Sequence, residues 1–549
     1  MKKITLIFTM AAALLSFASC KSAEQMAKDA ENVIVKCNPS PLVVKGGKID
    51  ADLTVTYPKD YFNKKAVLEV TPVIVYAGGE EKGAPIMFQG EKVENNYRVV
   101  PAAGSTVNQH VSFPYVEGMA VCHLELRGRC TTNAGKKWVT LPTKKVADGA
   151  NITETLASKS GVYSLKDHEY QPIIYFTPEG QVMYKMNSSE VRSSELRSQS
   201  VKDFQATVKE MAANERTQVK GIDVVAYASP DGKEDFNNKL SDSRSKSASK
   251  AFNQVKKGQS IDNVPTNVKS VGEDWEGFQE MVNKSNIQDK DLILRVLSMY
   301  NDPNVREREI RNMSSIYKDL ADDVLPQLRR ARFIANVEYT NYTDEELQTL
   351  MQENADVLDE PALLKAATLC KDSKDKKALY NKAVQKYNSK KAVYNLACVA
   401  LDDNDMEAFK AQIAKCDKTD ADVINLLGVA AMREGDMGAA ETYFKASNTA
   451  DAVKNLGTCE LVKGNYAEAA AKCGDKGPNA ALANLLSGNT DKALACVKDC
   501  TCPTGSYIRA IVYNRQGKVS QAKEELKKAT DACSKLAERA TTDIEFANL

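Results

Sequence analysis

The stretch IDVVAYASPDG at 222–232, followed by NNKLSDSR at 237–244, decides how the middle of the chain folds. An apolar, β-branched run ends in Ser-Pro-Asp-Gly, which is typical of a strand that leads into a turn. Asn237 and Ser241 are residue types that cap helices, so we expect them at the start of the next helix. Arg244 lies in the first turns of that helix. Its guanidinium and the free backbone N–H groups of the helix start would suit a carboxylate ligand.

This stretch resembles the C-terminal domain of OmpA, a family that holds peptidoglycan non-covalently through its diaminopimelate side chain. The family pattern Asn-x-x-Leu-Ser-x-x-Arg runs from Asn237 to Arg244, and Gly232 stands at the turn glycine. The resemblance implies that Ser229, Asp231, Asn237 and Arg244 are the candidate peptidoglycan-binding residues. Ser229 replaces the family's charged aspartate, and Asp231 is the candidate substitute. The alternative is a structural role for Arg244 in a domain that has become a docking module.

The surrounding region, 165–342, alternates β-rich and helical sequence. Four short β-rich runs predict strands at 173–176, 219–227, 268–271 and 333–339. Amphipathic stretches predict helices at 194–214 and 240–255, and an inserted group of helices at 275–283, 289–300 and 305–328. Helices between strands that return to one sheet predict a two-layer α/β sandwich. We therefore expect an OmpA-like α/β sandwich with a helical insertion.

Upstream, residues 32–156 have the pattern of short β-strands. Apolar residues alternate with polar ones over 49–57, which is the period of two of a strand with one buried face. Gly, Pro and Asn residues separate this run from the other β-rich runs. Short strands with this spacing predict a β-sandwich, immunoglobulin-like in outline.

Downstream, residues 345–549 are helical and repetitive. The dipeptide Asn-Leu recurs every thirty residues, at Asn395, Asn425 and Asn455, and turn glycines follow at Gly435 and Gly464. A fixed period with small residues at helix crossings indicates a stacked solenoid. The region resembles tetratricopeptide repeats, although their period is nearer 34 residues. Such repeats usually present a concave groove to a peptide or a partner protein, so we expect partner proteins to bind here.

The first residues, 1–19, have the pattern of an export signal. Lys2 and Lys3 precede an apolar run over 4–19 that is shorter than the ~20 residues of a spanning helix. The segment resembles a bacterial lipoprotein signal, which implies cleavage before Cys20 and acylation of that cysteine. Residues 20–31 would be a lipidated tether, and the absence of an aspartate after Cys20 favours the outer membrane. An ordinary signal peptide is the alternative; we expect a periplasmic body, with surface exposure left open.

Composition excludes several functional classes. With 74 basic and 73 acidic residues the net charge is +1, so the chain has no global field that would attract nucleic acid. The three histidines, His110, His123 and His168, form no recognisable metal or base constellation. Cys500 and Cys502 belong to a cysteine cluster without the paired C-x-x-C arms of a zinc site. No phosphate-binding loop, H-E-x-x-H motif or nucleophile elbow is present, so we expect no enzyme activity, cofactor or metal.

Together these features predict a non-enzymatic, multidomain outer-membrane lipoprotein. It would act as a scaffold and tether, linking the membrane to peptidoglycan and, through its repeats, to partner proteins. The alternative is an accessory subunit of an outer-membrane machine for protein assembly, secretion or fimbriae, without peptidoglycan binding. Lipoproteins that join OmpA-like units to such repeats resemble proteins of Bacteroidetes, where both roles occur.

Overall fold

A computed structural model describes residues 22–132, 135–257, 261–287 and 290–549. Cys20 and the predicted signal at 1–19 lie outside the described residues. The chain divides into two compact units. One joins the residues up to Lys166 with Val393–Leu549, and the other is Asp167–Ala392.

The N-terminal region is rich in β-structure. A helix, α1 (Ala23–Lys28), and a 3₁₀ turn, Asp29–Asn32, precede the strands. The strands are β1 (Ile34–Asn38), β2 (Leu42–Lys45), β3 (Lys48–Tyr57), β4 (Val67–Tyr76), β5 (Gly79–Lys82), β6 (Ile86–Gln89), β7 (Arg98–Val99), β8 (Ser105–Pro114), β9 (Cys122–Thr131), β10 (Val139–Thr140), β11 (Lys144–Asp148) and β12 (Ala150–Asn151). A 3₁₀ turn, Thr153–Leu156, follows β12.

These strands form two sheets around one core. The first sheet has the order β1-β3-β2-β12, with β8 also paired to β3. The second has the order β10-β9-β4-β6-β7, with β11 on β9 and β5 on β4. Leu53 on β3 belongs to the same buried cluster as Leu68 on β4 and Leu124 on β9. Because side chains of alternate residues along β3 are buried, the period of two predicted for 49–57 corresponds to its core face.

The middle region alternates strands and helices. Its elements are β13 (Ile173–Phe176), β14 (Glu179–Met183), a 3₁₀ turn (Glu195–Arg197), α2 (Gln199–Ala212), β15 (Thr217–Ala228), α3 (Glu234–Lys256), β16 (Thr266–Glu273), α4 (Trp275–Lys284), α5 (Lys290–Met299), α6 (Pro303–Asn312), α7 (Ser314–Asp319) and β17 (Arg330–Thr340). Both β13 and β14 pair antiparallel with β17, which pairs antiparallel with β15. The last pair, β15 and β16, is parallel.

Helices α2 and α3 cover this sheet. Phe204 on α2 and Phe252 on α3 pack with Phe333 on β17, with ring centroids 4.8 to 6.4 Å apart. Helices α4 to α6 have a core of their own, in which Phe278 and Ile310 are buried. The region is thus a two-layer α/β arrangement with an additional helical cluster.

Several details of this region differ from the sequence-based expectation. Strand β14 was not among the four predicted strands, and the other differences concern helices. Helix α3 begins at Glu234 with Lys233 as its N-cap, so Asn237 and Ser241 lie within the helix and do not cap it. The acidic side chains of its first turn favour the earlier start. The helix predicted over 305–328 is broken after Asn312 into α7, a π-turn and a 3₁₀ turn. Met313, directly after α6, has a ψ of 65°, which is outside the helical range, and Pro326 lacks the N–H that an α-helix would need at the 3₁₀ turn.

The C-terminal part is a long run of helices. In order, they are α8 (Asp344–Glu353), α9 (Glu360–Leu369), α10 (Ser373–Tyr387), α11 (Lys390–Asp402), α12 (Met406–Ile413), α13 (Ala421–Glu434), α14 (Met437–Ser447), α15 (Ala450–Val462), α16 (Tyr466–Lys472), α17 (Pro478–Leu486), α18 (Thr490–Cys496), α19 (Pro503–Arg515), α20 (Val519–Ala532) and α21 (Ser534–Ala540). Two 3₁₀ turns, Ala355–Val357 and Ile544–Phe546, accompany them.

Small residues set the close pairing of these helices. A Cβ atom at Gly428 on α13 would lie 2.5 Å from the ring of Phe444 on α14. A Cβ atom at Gly457 on α15 would lie 2.6 Å from the backbone nitrogen of Cys473. Glycine is therefore needed where these helices approach each other, as expected for a stacked, tetratricopeptide-like solenoid.

Within the first compact unit, the β-rich region packs on the C-terminal helices. The carboxylate of Glu154 accepts hydrogen bonds from the backbone of Gly46 and Gly47, at 2.8 and 3.1 Å, and from the hydroxyl of Tyr466, at 2.5 Å. Asn151 donates to the carboxylate of Glu545 at 2.6 Å. These bonds connect parts of the chain that are far apart in sequence.

The cysteines are mostly unpaired. Cys122 and Cys130 both lie on β9 and are free. Cys500 and Cys502 form a disulfide, whereas Cys496 is buried and free. In the described ranges, no group of three His, Cys, Asp or Glu side chains is arranged to hold a metal ion. None of the helices within those same ranges has the length and apolar character to cross a membrane.

Candidate functional site

Three of the four predicted site residues meet at the turn between β15 and α3. The hydroxyl of Ser229 donates to the carboxylate of Asp231 at 2.5 Å. The amide of Asn237 donates to the carbonyl of Ser229 at 3.2 Å and to the carboxylate of Glu273 at 2.8 Å. Burial raises the pKa of Glu273, although hydrogen bonds from Asn237 and Trp275 to its carboxylate oppose the shift. The turn is therefore held together by its own polar side chains.

The fourth residue, Arg244, lies beneath this turn with its side chain 1% exposed. Its Nε donates to the carbonyl of Ser188 at 3.0 Å, and its Nη1 to the carbonyl of Tyr227 at 2.9 Å. Its Nη2 donates to the carbonyl of Lys185 at 3.3 Å, and the guanidinium lies 4.9 Å from the ring centre of Tyr184. Burial lowers the pKa of Arg244 to about 10. All three guanidinium nitrogens therefore join α3 to neighbouring backbone.

Asp231 has a cationic partner from the segment that follows the helical insertion. Nη2 of Arg329 lies 3.0 Å from its carboxylate, and the side chains are 12% and 20% exposed. Nη2 of Arg311, on α6, donates to the backbone carbonyl of Asp231 at 2.9 Å. Next to this pair, Pro230 and Trp275 line a small cavity between the turn and the inserted helices. The negative charge that could replace the family aspartate is thus compensated within the domain.

A second cluster of polar side chains lies in the C-terminal helices. Asn395 on α11, Asn425 on α13 and Asn455 on α15 are at most 2% exposed. With Asn479 at the start of α17 they form what we call the asparagine ladder. The ladder contacts residues 157–166, which are neither helix nor strand. We call these ten residues the bound segment.

The ladder holds the backbone of the bound segment at every fourth residue. The side-chain oxygen of Asn479 accepts from the N–H of Ser158 at 2.9 Å, and its amide donates to the carbonyl of Ser158 at 2.8 Å. Asn455 makes the same two bonds to Val162, at 2.7 and 2.8 Å. Because a primary amide is both donor and acceptor, one asparagine satisfies both backbone groups of one residue.

The same pattern continues at the other end of the segment. Asn395 accepts from the N–H of Lys166 at 2.8 Å and donates to its carbonyl at 3.3 Å. Asn425 adds a second donor to the carbonyl of Val162 at 3.0 Å, and Asn455 also donates to Asn425 at 2.9 Å. The ladder therefore recognises backbone groups, which every residue type carries.

Side chains of the bound segment make further contacts that do depend on residue type. The ammonium of Lys166 lies 2.8 Å from Asp420, 2.5 Å from Asp422 and 5.3 Å from the ring centre of Tyr394. Burial alone would raise the pKa of Asp420, but hydrogen bonds from Lys166 and from backbone N–H groups outweigh it and lower the pKa. The lysine end of the segment is thus bound at an acidic site.

An aromatic contact lies in the middle of the segment. The hydroxyl of Tyr163 donates to Asp402, and the guanidinium of Arg433 lies 5.7 Å from the centre of its ring. Arg433 also donates from Nε to the carbonyl of Ser160 at 2.7 Å. The two charged residues therefore hold Tyr163 and the backbone that precedes it.

Gly161 is required where the segment crosses α13. Its φ is +75°, and a Cβ atom there would lie 2.5 Å from Cγ1 of Val429. Both the backbone conformation and the space exclude larger residues. Three residues further along the segment, the hydroxyl of Ser164 donates to the carboxylate of Asp451 on α15 at 2.7 Å.

The sequence pattern identified Asn395, Asn425 and Asn455 only as markers of the repeat, and it did not single out Asn479. The signal for a binding role was present, because a polar residue recurs at a helix position where a repeat core would normally take an apolar one. Their partner was missed, because residues 157–164 fall between the regions predicted as 32–156 and 165–342, and Leu165 and Lys166 are the first two residues of the second region. The Gly-x-Tyr-x-x-Lys spacing within that connection is recognisable only once the ladder is known.

Comparisons with known proteins do not assign the chain to a family. No protein-family model and no curated protein matches the chain. Among solved structures, the chain is similar to a tetratricopeptide repeat protein from Parabacteroides merdae, with 14% sequence identity and a TM-score of 0.28. That similarity covers 37% of this chain and 91% of the other.

Proposed function

We propose that this protein is a non-enzymatic, lipid-anchored scaffold of the bacterial outer membrane whose C-terminal helices bind partner proteins. The single observation that carries the proposal is the asparagine ladder. Asn395, Asn455 and Asn479 each bind both backbone groups of one residue in a segment that is neither helix nor strand. A surface built in this way suits a peptide from a partner protein.

The middle region supports an OmpA-like domain, and the proposal takes it as a docking module. Along the chain, β14, α2, β15, α3 and β16 form a βαβαβ series, and β17 follows it. In the sheet, β17 lies between β14 and β15, and β16 lies on the other side of β15. The family-like motif spans the turn before α3 and the first turns of α3. Arg244 donates to backbone carbonyls, and Asp231 is paired with Arg329. These contacts occupy the groups that would bind peptidoglycan, so they favour the candidate without peptidoglycan binding, which is an accessory subunit of an assembly, secretion or fimbrial machine.

The second candidate is the tether to peptidoglycan. It is favoured by the family-like motif and by Asp231, whose carboxylate is near the family's aspartate position. In this alternative, the diaminopimelate ammonium would have to displace Arg329 from Asp231, because both cations would use the same carboxylate. The exchange would be an ion-pair replacement at a partly exposed site.

Binding to purified sacculi separates the two candidates. We expect the full-length protein to sediment with sacculi no more than a control protein does. Retention that falls for Asp231→Ala but not for Asp235→Ala would support the tether instead. Asp235 is the matched control, because it is an exposed aspartate in the first turn of α3, the helix that follows the turn of Asp231.

The partner-binding role is tested in membranes. Tagged protein solubilised from cells should co-purify with outer-membrane proteins, and Asn425→Ala/Asn455→Ala should reduce their recovery. Asn484→Ala is the matched control, because Asn484 is a buried asparagine of α17 that donates to Ala480 in its own helix. Equal recovery with all variants would contradict the proposal.

The anchor is tested separately. Mass spectrometry of the mature protein should find Cys20 as the acylated first residue, and Cys20→Ser should release the protein from membranes. An unmodified first residue in the wild-type protein would exclude the lipid anchor and leave the ladder's role open.

A further inference from the structure

We propose that the bound segment is an internal stand-in for a partner's peptide, so that the asparagine ladder is autoinhibited. The expected partner segment has no regular secondary structure and carries glycine, an aromatic residue two positions later and lysine three positions after that. This inference rests on the proposed function, because it specifies the partner of the same surface. Gly161, Tyr163 and Lys166 define the spacing.

The first argument is that the ladder binds backbone N–H and carbonyl groups, which a peptide from any protein carries. Ser158, Val162 and Lys166 are each bound through both N–H and carbonyl by one asparagine. A peptide from another protein with the same four-residue spacing would offer the same six backbone groups. The ladder therefore supplies affinity but little choice between sequences.

The second argument is that three positions do select sequence. Val429 admits only glycine at position 161, since a Cβ atom there would lie 2.5 Å from its methyl carbon. The pair of Asp420 and Asp422 selects a cation at position 166.

Position 163 is selected differently, by one anion and one cation. Asp402 accepts the hydroxyl proton of Tyr163, and Arg433 lies 5.7 Å from the ring centre. An aromatic residue with a hydroxyl group satisfies both contacts. Together the three positions give Gly-x-Tyr-x-x-Lys as the preferred partner sequence.

The third argument is that the segment is held by contacts that can be exchanged. Val162 and Leu165 are each 41% exposed, so they bury little apolar surface on the ladder. The side chains of Lys166 and Asp422 are 25% and 44% exposed, and ion pairs with such exposure hold weakly. Polar, partly solvated contacts are typical of regions that open locally without global unfolding.

The chain on the N-terminal side of the segment is held more firmly. Glu154 is buried and bonded to Gly46, Gly47 and Tyr466, and Leu156 packs in the core of the C-terminal helices. A segment tethered in this way has an effective concentration on the order of millimolar at the ladder. A partner must therefore compete with it, which is the basis of the autoinhibition.

The tether also argues against a second copy as the occupant. Another copy would offer the same residues 157–166, and so no additional contact. It would lose the advantage of the covalent connection at Glu154 and Leu156. A partner protein with the preferred sequence is therefore the occupant that we infer.

The test uses full-length protein and a fluorescein-labelled peptide with the sequence of residues 157–167, followed by fluorescence polarisation. Tyr163→Ala/Lys166→Ala weakens the bound segment and leaves the ladder intact. Lys159→Ala/Leu165→Ala is the matched control, because it also removes one lysine and one large side chain, both exposed. We expect at least tenfold tighter peptide binding to the first variant than to the control or the parent protein.

Two results would overturn the inference. One is a folded Tyr163→Ala/Lys166→Ala variant that binds the peptide no better than the parent does. The other is a dimer of that variant in light scattering, which would indicate exchange of segments between copies. If partners still co-purify with the ladder intact, the proposed scaffold function survives either result.

Hydrogen exchange on the unmodified protein provides an independent measurement. The N–H groups of Val162 and Lys166 should exchange at least a hundredfold faster than those that join β3 to β8. Adding excess unlabelled peptide should change the exchange of ladder-bound amides but not of the sheet. Exchange at Val162 as slow as in the sheet would make the segment a permanent part of the fold and contradict autoinhibition.

Discussion

The turn between β15 and α3 and the asparagine ladder both bury polar side chains, but the two regions differ in where their partners come from. At the turn, Asn237 and Arg244 bond to residues of their own domain, on elements that the core already holds in place. On the ladder, Asn395 and Asn455 bond to a segment that has no core of its own. A buried polar group can serve as a binding site only if its present partner can leave. By that criterion the ladder is the better candidate.

The comparison is tested most strongly by removing the buried cation of the turn. Arg244→Ala leaves the carbonyls of Ser188, Tyr227 and Lys185 without a donor and leaves a cavity, so we expect a loss of about 3 kcal/mol in the free energy of unfolding. Urea titration followed by circular dichroism measures it. Arg332→Ala, which removes a more exposed arginine on β17, should cost less than about 1 kcal/mol. Equal stability of both variants would mean that Arg244 is free to bind a ligand.

A second substitution tests the ladder itself. Asn425→Ala/Asn455→Ala removes the three hydrogen bonds to Val162, each contributing about 1 kcal/mol, and should leave the global unfolding transition almost unchanged. The effect should appear locally, as exchange of the Val162 amide accelerated by more than about tenfold. If global stability fell as far as in Arg244→Ala, the ladder would be structural in the same sense as the turn.

Glycine substitution tests how closely the segment lies on α13. Gly161→Ala should cost about 1 kcal/mol for the positive φ and more for the contact with Val429, and should expose the segment to limited proteolysis. Gly517→Ala is the matched control: its φ is +72°, but no atom lies within 4 Å of the added Cβ. Proteolysis of both variants at the same rate would show that backbone strain, and not contact with α13, decides the outcome.

The smallest expected effect is a pH dependence of the lysine end. Since the pKa of Asp420 is lowered in the folded protein, its pair with Lys166 stabilises the segment above the unfolded pKa of about 3.9 and is lost as pH falls through the folded pKa. Exchange of the Lys166 amide, corrected for intrinsic rates, should therefore rise a few-fold at about pH 3. Between about pH 5 and 9 it should stay constant. Acceleration within that interval would point to another titrating group.

Local patterns in the sequence predicted a good part of this structure. The alternation over 49–57 corresponds to the buried face of β3, because strand periodicity depends only on neighbouring residues. The predicted start of α3 was too late, because Asn237 was expected to be its cap. The acidic side chains of Glu234 and Asp235 stabilise an earlier helix N-terminus. The motif could be found from sequence, but the pairing of Asp231 with Arg329 could not. Their atoms meet only after the helical insertion has folded.

The ladder shows the same limit more clearly. A period of thirty residues located three of its four asparagines and missed Asn479. The residues that the ladder binds are more than 200 positions away; Val162 and Asn455, for example, are 293 apart. Neither the composition nor any periodicity of residues 157–166 indicates that they bind asparagines so far away in the sequence. The spacing of residues within one helix or strand can be predicted from the neighbouring sequence. The segment that binds to the ladder is known only from the folded structure.

The bond between Asn151 and Glu545 spans 394 residues, and it has a consequence for the order in which the molecule can mature. During synthesis the β-rich region emerges first, whereas Glu545, which accepts the bond from Asn151, follows 394 residues later. A chain cut short before Glu545 would leave the side chains of Asn151 and Thr153 without the carboxylate that accepts their hydrogen bonds. We expect such a shortened chain to be cleaved faster by a protease at this junction than the chain that contains Glu545.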